Sequence, residues 1–178
     1  MFEVELRALI TEDQYNSLRE KFDAAVKGDV DDAETYTFLT KDINIKVKNR
    51  TTKKKAKITL KKGAEYRQQA EERELEIDPS QVQNAVALIT ALGFQKHIPS
   101  LQKRIDYKID GMSISLKHET NWKYHVEAEI VVDAKEKVAD AKKRLHQFFK
   151  DHELKPMTEE QTRTLINSIL KKYEIDLI

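Results

Sequence analysis

The stretch FEVELRALI, residues 2–10, alternates polar and apolar side chains and indicates how the fold begins. Successive side chains of a β-strand point to opposite faces, so Glu3, Glu5 and Arg7 would share one face, opposite the apolar residues between them. Two other strand-like runs contain the same spacing of carboxylates, namely Glu74 with Glu76 and Glu127 with Glu129. Each run therefore presents two carboxylates on the face that lies away from its apolar side chains.

Basic residues alternate with apolar ones in two further runs, residues 43–48 and 56–61. The basic side chains that share a face are Lys46 and Lys48 in the first run and Lys57 and Lys61 in the second. An antiparallel sheet with one solvated face has this pattern. An enclosed pocket, in which acidic groups hold a divalent cation, has it as well. The alternation by itself leaves both interpretations open.

The length and composition of the chain predict one domain over residues 1–178. A chain of 178 residues with 39% hydrophobic residues can fill one core but is short for two independent domains. Only 4 Gly and 3 Pro occur, which argues against a disordered linker. We expect the residues from about 155 to 178 to form a C-terminal helical extension of this domain.

The absence of cysteine excludes disulfides, thiolate metal sites and cysteine nucleophiles. It fits a reducing compartment, so we expect a cytoplasmic protein. No apolar stretch approaches the length that spans a membrane, and we therefore expect no membrane partner. The formal net charge of +1 does not require a polyanionic partner.

The hydrophobic periodicity predicts eight strands and four helices, which is an α+β fold. Helix starts are indicated at Thr11, Asp78, Asp133 and Thr158, since hydroxyl and carboxylate side chains cap helices. Asp110-Gly111 predicts a tight turn between two strands. Eight antiparallel strands suffice to close a barrel, and the charged faces of the strands would then line its interior as a ligand cavity.

Taken in order, these motifs resemble the CYTH, or triphosphate tunnel, family. That family has a Glu-x-Glu-x-Lys first strand, a basic strand, a Leu-Thr-Leu-Lys strand, an acidic fifth strand, a Leu-Gly-Phe turn, a Lys-x-Arg strand and a Phe-x-x-Glu-x-Glu strand. The segments that carry the resemblance are 3–7, 45–48, 58–61, 72–76, 91–94, 101–104 and 124–129. The resemblance implies an eight-stranded antiparallel barrel. The members of the CYTH family include class IV adenylyl cyclases, thiamine triphosphatases and inorganic triphosphatases.

The resemblance also implies a chemistry, the Mg²⁺- or Mn²⁺-dependent hydrolysis of a small-molecule triphosphate. The metal ligands that it implies are Glu3, Glu5, Glu127 and Glu129, with Glu74 and Glu76 as further candidates. The phosphate-binding residues that it implies are Lys46, Lys48, Lys57, Lys61 and Arg104. Arg7 and Glu5 take the positions of catalytic residues. His125 shares the strand parity of Glu127 and is a further candidate for a metal or phosphate contact.

Three residues depart from the family pattern: Arg7 and Gln102 each replace a Lys, and Lys117 replaces an Asp. These departures favour a second class of function, a barrel that binds a phosphorylated ligand without turning it over. Conversion of ATP to cyclic AMP and pyrophosphate is the alternative reaction. A nucleic-acid binder using the basic segment 49–55 is a third class, which we do not expect. The C-terminal helices could close the barrel or form a homodimer.

Overall fold

The computed structural model describes residues 2–40, 42–62 and 71–175, and nine strands and four α-helices occur within them. The strands are β1 (Phe2–Leu9), β2 (Asp29–Val30), β3 (Ala33–Leu39), β4 (Ile43–Arg50), β5 (Lys55–Lys62), β6 (Glu71–Ile77), β7 (Ile98–Ile109), β8 (Met112–Glu119) and β9 (Lys123–Val132). The helices are α1 (Glu12–Ala25), α2 (Val82–Ala91), α3 (Val138–Asp151) and α4 (Glu159–Lys172). Within the described ranges, no helix has the length and apolar character needed to cross a membrane.

The strands form an antiparallel sheet, which confirms the predicted α+β fold. The hydrogen-bonded order is β1-β9-β8-β7-β3-β4-β5-β6, and β2 pairs with β7. All eight predicted strands are present. The two-residue strand β2 was not predicted because it is too short to have a periodicity. The strand-like run that contains Glu74 and Glu76 corresponds to β6, and residues 63–70 lie outside the described residues.

The chain divides into two compact units, which are described separately. The first unit contains Met1–Val30 and Lys103–Thr158, and the second contains Asp31–Gln102 and Glu159–Ile178. Strand β7 contributes residues to both units. The single domain over 1–178, with its extension from about 155, stays a prediction.

The core of the first unit lies between its strands and two helices, α1 and α3. The apolar residues at alternate positions of β1, β8 and β9 form this core, and helix α3 packs against β1 and β9. The buried strand residues include Val4, Leu6, Ala8, Ile114, Leu116, Val126 and Ala128, and the helices add Phe22, Leu145 and Phe149. Because strand side chains alternate between faces, this packing leaves Glu3, Glu5 and Arg7 on the opposite face of β1.

The core of the second unit lies between its sheet and helix α2. Phe38, Val47 and Ala56, one from each of three adjacent strands, pack with residues of the helix. The helix residues are Val82, Val86 and Ile89. Their i, i+4 and i+7 spacing places them on one side of the helix. The same alternation leaves the lysines of β4 and β5 on the face of the sheet that lies away from α2.

The structure agrees with the predicted caps at Thr11 and Asp78 and differs at Asp133, and α4 begins at Glu159, directly after Thr158. Thr11 caps α1 in a capping box, in which Gln14 N–H donates to Thr11 Oγ1 over 3.1 Å. Asp78 caps a 3₁₀ turn, Pro79–Gln81, that leads into α2. Asp133 is not the cap predicted for α3, because a 3₁₀ turn at Lys135–Lys137 precedes that helix. Asp133 instead forms an ion pair with Lys137 over 2.8 Å.

The predicted tight turn between β7 and β8 is also present. Asp110 has φ of +50° and Gly111 has φ of +73°. Positive φ at both central residues is the requirement of a type I′ turn, which suits Asp-Gly. Arg144 stabilises the turn from α3, since its Nη2 donates to the carbonyl oxygen of Asp110 over 2.7 Å.

Gly28 is required for close packing in the first unit, and Gly28→Ala should lower the free energy of unfolding by about 1–3 kcal/mol. A Cβ there would lie 2.5 Å from Ile105 Cγ2 and 2.9 Å from Tyr107 Cε1. Urea denaturation measures the effect. The exposed neighbouring substitution Lys27→Ala is the control and should change the stability by less than about 0.5 kcal/mol. Equal stability of the two variants would contradict this prediction.

Candidate functional site

Three of the predicted metal ligands meet where β1 pairs with β9. In the register of this pair Glu5 lies directly opposite Glu129, and Glu3 lies two residues from Glu5 on the same face. One carboxylate oxygen from each of Glu3, Glu5 and Glu129 lies within 4.8 Å of the others. Like charges directly opposite one another destabilise a sheet. This arrangement therefore favours the binding of a cation.

The donors of this acidic group suit a hard divalent cation. Mg²⁺ and Mn²⁺ prefer oxygen ligands, and all three donors are carboxylates. Two oxygens bound to one Mg²⁺ at about 2.1 Å can be at most about 4.2 Å apart. The oxygens need to move only slightly from their separation of up to 4.8 Å to meet that limit. Glu3 is exposed and the other two are half-buried, so water can complete the coordination.

Glu127, the fourth predicted ligand, lies in a separate group of mixed charge. Lys117 Nζ forms an ion pair with Glu127 Oε2, and Arg7 Nε lies 3.0 Å from Glu127 Oε1. Burial alone would raise the pKa of Glu127, but Lys117 and then Arg7 hold it well below its usual range. Glu127 is therefore ionised, and its charge is balanced by side chains of the protein.

Arg7 connects the two groups of acidic residues. Its Nε also donates to Glu5 Oε1, and its guanidinium lies 5.3 Å from the centre of the Trp122 ring. An arginine stays protonated at all accessible pH values and cannot act as a base. The chemistry open to Arg7 is therefore electrostatic, namely binding an anion or setting the orientation and charge of Glu5 and Glu127.

His125 lies beside Glu127 and is nearly fully buried. Its Nε2 is 3.7 Å from Glu127 Oε1, and its Nδ1 is 3.2 Å from the carbonyl oxygen of Lys123. Burial lowers the pKa of His125 to about 4, although the Glu127 carboxylate acts in the opposite direction. The imidazole is therefore neutral at pH 7.

This neutral histidine should make the protein less stable in mild acid. Between pH 6.5, the usual pKa of unfolded histidine, and about pH 4, the unfolded chain binds a proton that the folded protein does not. The free energy of unfolding should therefore fall as the pH falls, by about 2 kcal/mol from pH 7 to pH 5. Urea denaturation at the two pH values measures this. His125→Asn should remove most of that difference, whereas substitution of the exposed His146 by Gln should retain it. Equal pH dependence in both variants would contradict the assignment.

Arg104, a predicted phosphate-binding residue, is held by an acidic neighbour on β7. Its Nε donates to Asp106 Oδ1 over 2.6 Å, and Ser115 Oγ donates to the same oxygen over 2.6 Å. Asp106 lies on the same face of β7 as Arg104, and the sequence motifs did not identify it. The signal that could have found it is its strand parity with Arg104, two residues away. Asp106 orients the guanidinium and partly balances its charge.

The predicted lysines lie in the second unit, on one face of β4 and β5. In the register of this pair Lys46 lies opposite Thr59, and Lys48 lies opposite Lys57. Lys48 Nζ donates to Gln102 Oε1 over 3.3 Å, so the departure at Gln102 places an acceptor beside a predicted phosphate ligand. Lys61 follows on the same face of β5, opposite Asn44. This face combines several positive charges on adjacent strands, which suits a polyanion.

The further acidic pair lies on β6 of the second unit, next to these lysines. Glu74 is opposite Thr59 and Glu76 is opposite Lys57 in the register. Lys57 Nζ forms an ion pair with Glu74 Oε1, and Thr59 Oγ1 donates to the same oxygen over 3.3 Å. Glu74 therefore balances part of the lysine charge.

Asn44 is a second residue that the motifs did not identify. It shares the face of Lys46 and Lys48 by strand parity and is 1% exposed. Within the described ranges, neither its Oδ1 nor its Nδ2 has a hydrogen-bond partner. An unsatisfied buried amide lowers the free energy of unfolding by about 1–3 kcal/mol, so Asn44 does not stabilise the fold through its amide.

The chain resembles known proteins in sequence family and in fold. The family model of the CYTH domain matches residues 1–167. No curated protein sequence matches the chain. Similar solved structures include a conserved hypothetical protein from Pyrococcus furiosus, with 20% identity, a TM-score of 0.69, and coverage of 89% of this chain and 99% of that one.

Two other similar structures carry a description of activity. One is a candidate adenylate cyclase from Vibrio parahaemolyticus, with 12% identity, a TM-score of 0.65, and coverage of 89% of this chain and 94% of that one. The other is a candidate adenylyl cyclase from Hippeastrum that has a dominant triphosphatase activity, with 15% identity, a TM-score of 0.59, and coverage of 87% and 89%. At these identities the structures establish the fold alone. The family model matches nearly the whole chain, and the protein therefore belongs to the CYTH domain family.

Proposed function

We propose that the protein hydrolyses a small-molecule triphosphate in a reaction that depends on Mg²⁺ or Mn²⁺. Members of the CYTH family are usually enzymes, either triphosphatases or cyclases, and its triphosphatases generally use divalent metals. The observation that carries the proposal is the acidic group Glu3, Glu5 and Glu129, in which two carboxylates lie directly opposite each other across paired strands. The candidate substrates are inorganic triphosphate, thiamine triphosphate and nucleoside triphosphates.

The residues have distinct roles in this proposal. Glu3, Glu5 and Glu129 would hold the cation, which withdraws charge from the phosphate oxygens and so favours attack by water on the phosphorus. Lys46, Lys48, Lys57, Lys61 and Arg104 would bind phosphate oxygens through charge-assisted hydrogen bonds. Arg7 would act electrostatically, since it cannot accept a proton from water. Glu127, Glu74 and Glu76 are assigned to balance the charge of the basic residues.

The test is a substrate panel with the full chain. Inorganic triphosphate, thiamine triphosphate and ATP are each supplied with Mg²⁺, with Mn²⁺ or with a chelator, and phosphate, pyrophosphate and cyclic nucleotide are measured. Metal-dependent release of phosphate is the expected result. Absence of phosphate release from every substrate would reject hydrolysis.

Cyclisation of ATP to cyclic AMP and pyrophosphate is the second candidate reaction. We place hydrolysis before cyclisation because the similar Hippeastrum protein, a candidate adenylyl cyclase, has a dominant triphosphatase activity. The same panel separates the two reactions, because only cyclisation gives equal amounts of cyclic AMP and pyrophosphate.

A binding module without turnover is the third candidate, and Arg7 is the residue that favours it. If the arginine limits catalysis, Arg7→Lys should raise the turnover rate at least about tenfold, since a lysine offers a group whose pKa can shift. The measurement is the turnover rate of both proteins at saturating substrate and metal. An unchanged rate in Arg7→Lys would show that position 7 does not limit catalysis.

The homodimer and the cytoplasmic location stay predictions.

A further inference from the structure

Glu127 differs from the acidic group in the charges that surround it. Each of its two carboxylate oxygens contacts a cation, Oε2 the Lys117 ammonium and Oε1 the Arg7 guanidinium at 3.0 Å. Glu129 lies two residues along the same strand face, where its cross-strand neighbour is another carboxylate, Glu5. Within the described residues, Glu129 forms no ion pair. Two neighbouring acidic residues therefore have opposite electrostatic surroundings.

Lys117 is the unusual member of this arrangement. It lies on β8, is 6% exposed, and its ammonium contacts Glu127. A lysine is almost never buried unless its charge is paired. In the register of β8 and β9 it lies opposite His125, whose imidazole is neutral at pH 7 and cannot share its role. Lys117 therefore supplies a fixed positive charge inside the protein, beside one particular carboxylate.

We propose that Lys117 is a positioning residue that keeps a second divalent cation away from Glu127, so that the chain binds one divalent cation, at Glu3, Glu5 and Glu129. A cation approaching Glu127 would meet both the ammonium and the guanidinium. Displacing the ammonium would leave the buried charge of Lys117 without its carboxylate partner. This inference rests on the proposed function, since it assumes that the acidic group binds the metal.

The arrangement also gives Lys117 an indirect effect on Arg7. By occupying Oε2 of Glu127, the ammonium leaves Oε1 to accept from the guanidinium of Arg7. Arg7 Nε in turn donates to Glu5, one of the three metal-binding carboxylates. Lys117 thus determines which carboxylates remain available to the metal without contacting the metal itself.

The experiment counts Mn²⁺ ions per chain by calorimetric titration and by electron paramagnetic resonance of free Mn²⁺. The wild-type chain should bind one Mn²⁺, and Glu129→Gln should weaken that binding at least about tenfold. The double variant Lys117→Met with Glu127→Gln removes both charges at nearly constant volume, and it should still bind one Mn²⁺ with unchanged affinity. Lys117→Asp should bind two Mn²⁺ ions. The exposed Lys123→Asp makes the same change of charge on β9 and should bind one.

The outcomes distinguish failure of the role of Lys117 from failure of the proposed function. Two ions in the wild-type chain, or a double variant that loses Mn²⁺ as severely as Glu129→Gln, would overturn the role of Lys117 while leaving the proposed function intact. A single ion in folded Lys117→Asp would overturn it as well. Should Lys117→Asp fail to fold, Lys117→Met takes its place, because it removes the ammonium and keeps the Glu127 carboxylate. Binding of a second Mn²⁺ ion by Lys117→Met would support the role of Lys117, and binding of a single ion would overturn it. Absence of Mn²⁺ binding by the wild-type chain would overturn both this inference and the proposed function.

Discussion

Glu5→Gln should lower the metal-dependent hydrolysis of the preferred triphosphate by at least about 100-fold, more than is usual for loss of a residue that only supports a metal ligand. Glutamine keeps the size of the side chain but removes the charge that would attract a divalent cation. Glu5 occupies the centre of the acidic group, since it lies opposite Glu129 and two residues from Glu3. The measurement is the rate of phosphate release over a range of Mg²⁺ and Mn²⁺ concentrations.

Stability provides the control for this activity loss. Glu5→Gln removes a partner of Arg7 but also removes the repulsion between Glu5 and Glu129, so the free energy of unfolding should change little. Glu20→Gln, on the exposed face of α1, makes the same chemical change away from the site and should leave the rate unaffected. Full activity in folded Glu5→Gln would exclude Glu5 from the metal site. Loss of activity together with unfolding would instead identify a structural role.

The second large effect is expected in the stability of the folded protein when the ion pair between Lys117 and Glu127 is broken. Glu127→Gln should lower the free energy of unfolding by about 3–5 kcal/mol, because the buried Lys117 ammonium loses its partner. Lys117→Met should lower it by less, because Glu127 keeps its contact with Arg7. Removing both charges together should cost less than either single change. The reason is that the desolvation cost of the two ions disappears along with their attraction.

Urea denaturation of the wild-type chain and these three variants at pH 7 measures the coupling energy directly. Arg7 remains close to Glu127 in Lys117→Met, so that variant should be the less destabilised of the two single changes. The pair Lys137 and Asp133 is a suitable comparison, since both residues are exposed. Its coupling energy should be much smaller than that of Lys117 and Glu127, because water screens the charges of an exposed ion pair. Additive effects for Lys117 and Glu127 would mean that their charges do not interact in the folded protein.

Much of the fold is encoded in local patterns that the sequence displays directly. The alternation in residues 2–10 and in the other strand runs predicted eight strands and the face that each charged side chain takes, because side-chain direction in a strand depends only on parity. The caps at Thr11 and Asp78 and the turn at Asp110-Gly111 were predicted for a similar reason, since the side chains involved bond within a few residues. Asp133 shows the limit of such signals, because its carboxylate pairs with Lys137 instead of capping a helix.

The order of the motifs along the chain also identified the CYTH family, which the family model confirms. The candidate site was only partly readable from that order. Strand parity predicted that Glu3, Glu5, Glu127 and Glu129 share one face of the sheet. It could not show that Glu127 pairs with basic side chains whereas the other three lie together. Asp106 and Asn44 carried no motif, and their relevance comes from what surrounds them in the folded chain.

The sequence by itself determined the existence of eight strands and four helices, which side chains share a face, and the family to which the protein belongs, because each depends on local order along the chain. Only the tertiary structure decided which charges meet. The register of β1 against β9 sets Glu5 opposite Glu129, and the packing of β8 beside β9 brings Lys117 to Glu127. Glu5 and Glu129 are far apart in sequence, and Lys117 and Glu127 lie on the two strands of one hairpin. In both cases the partner depends on strand register and side-chain conformation, which local periodicity does not specify.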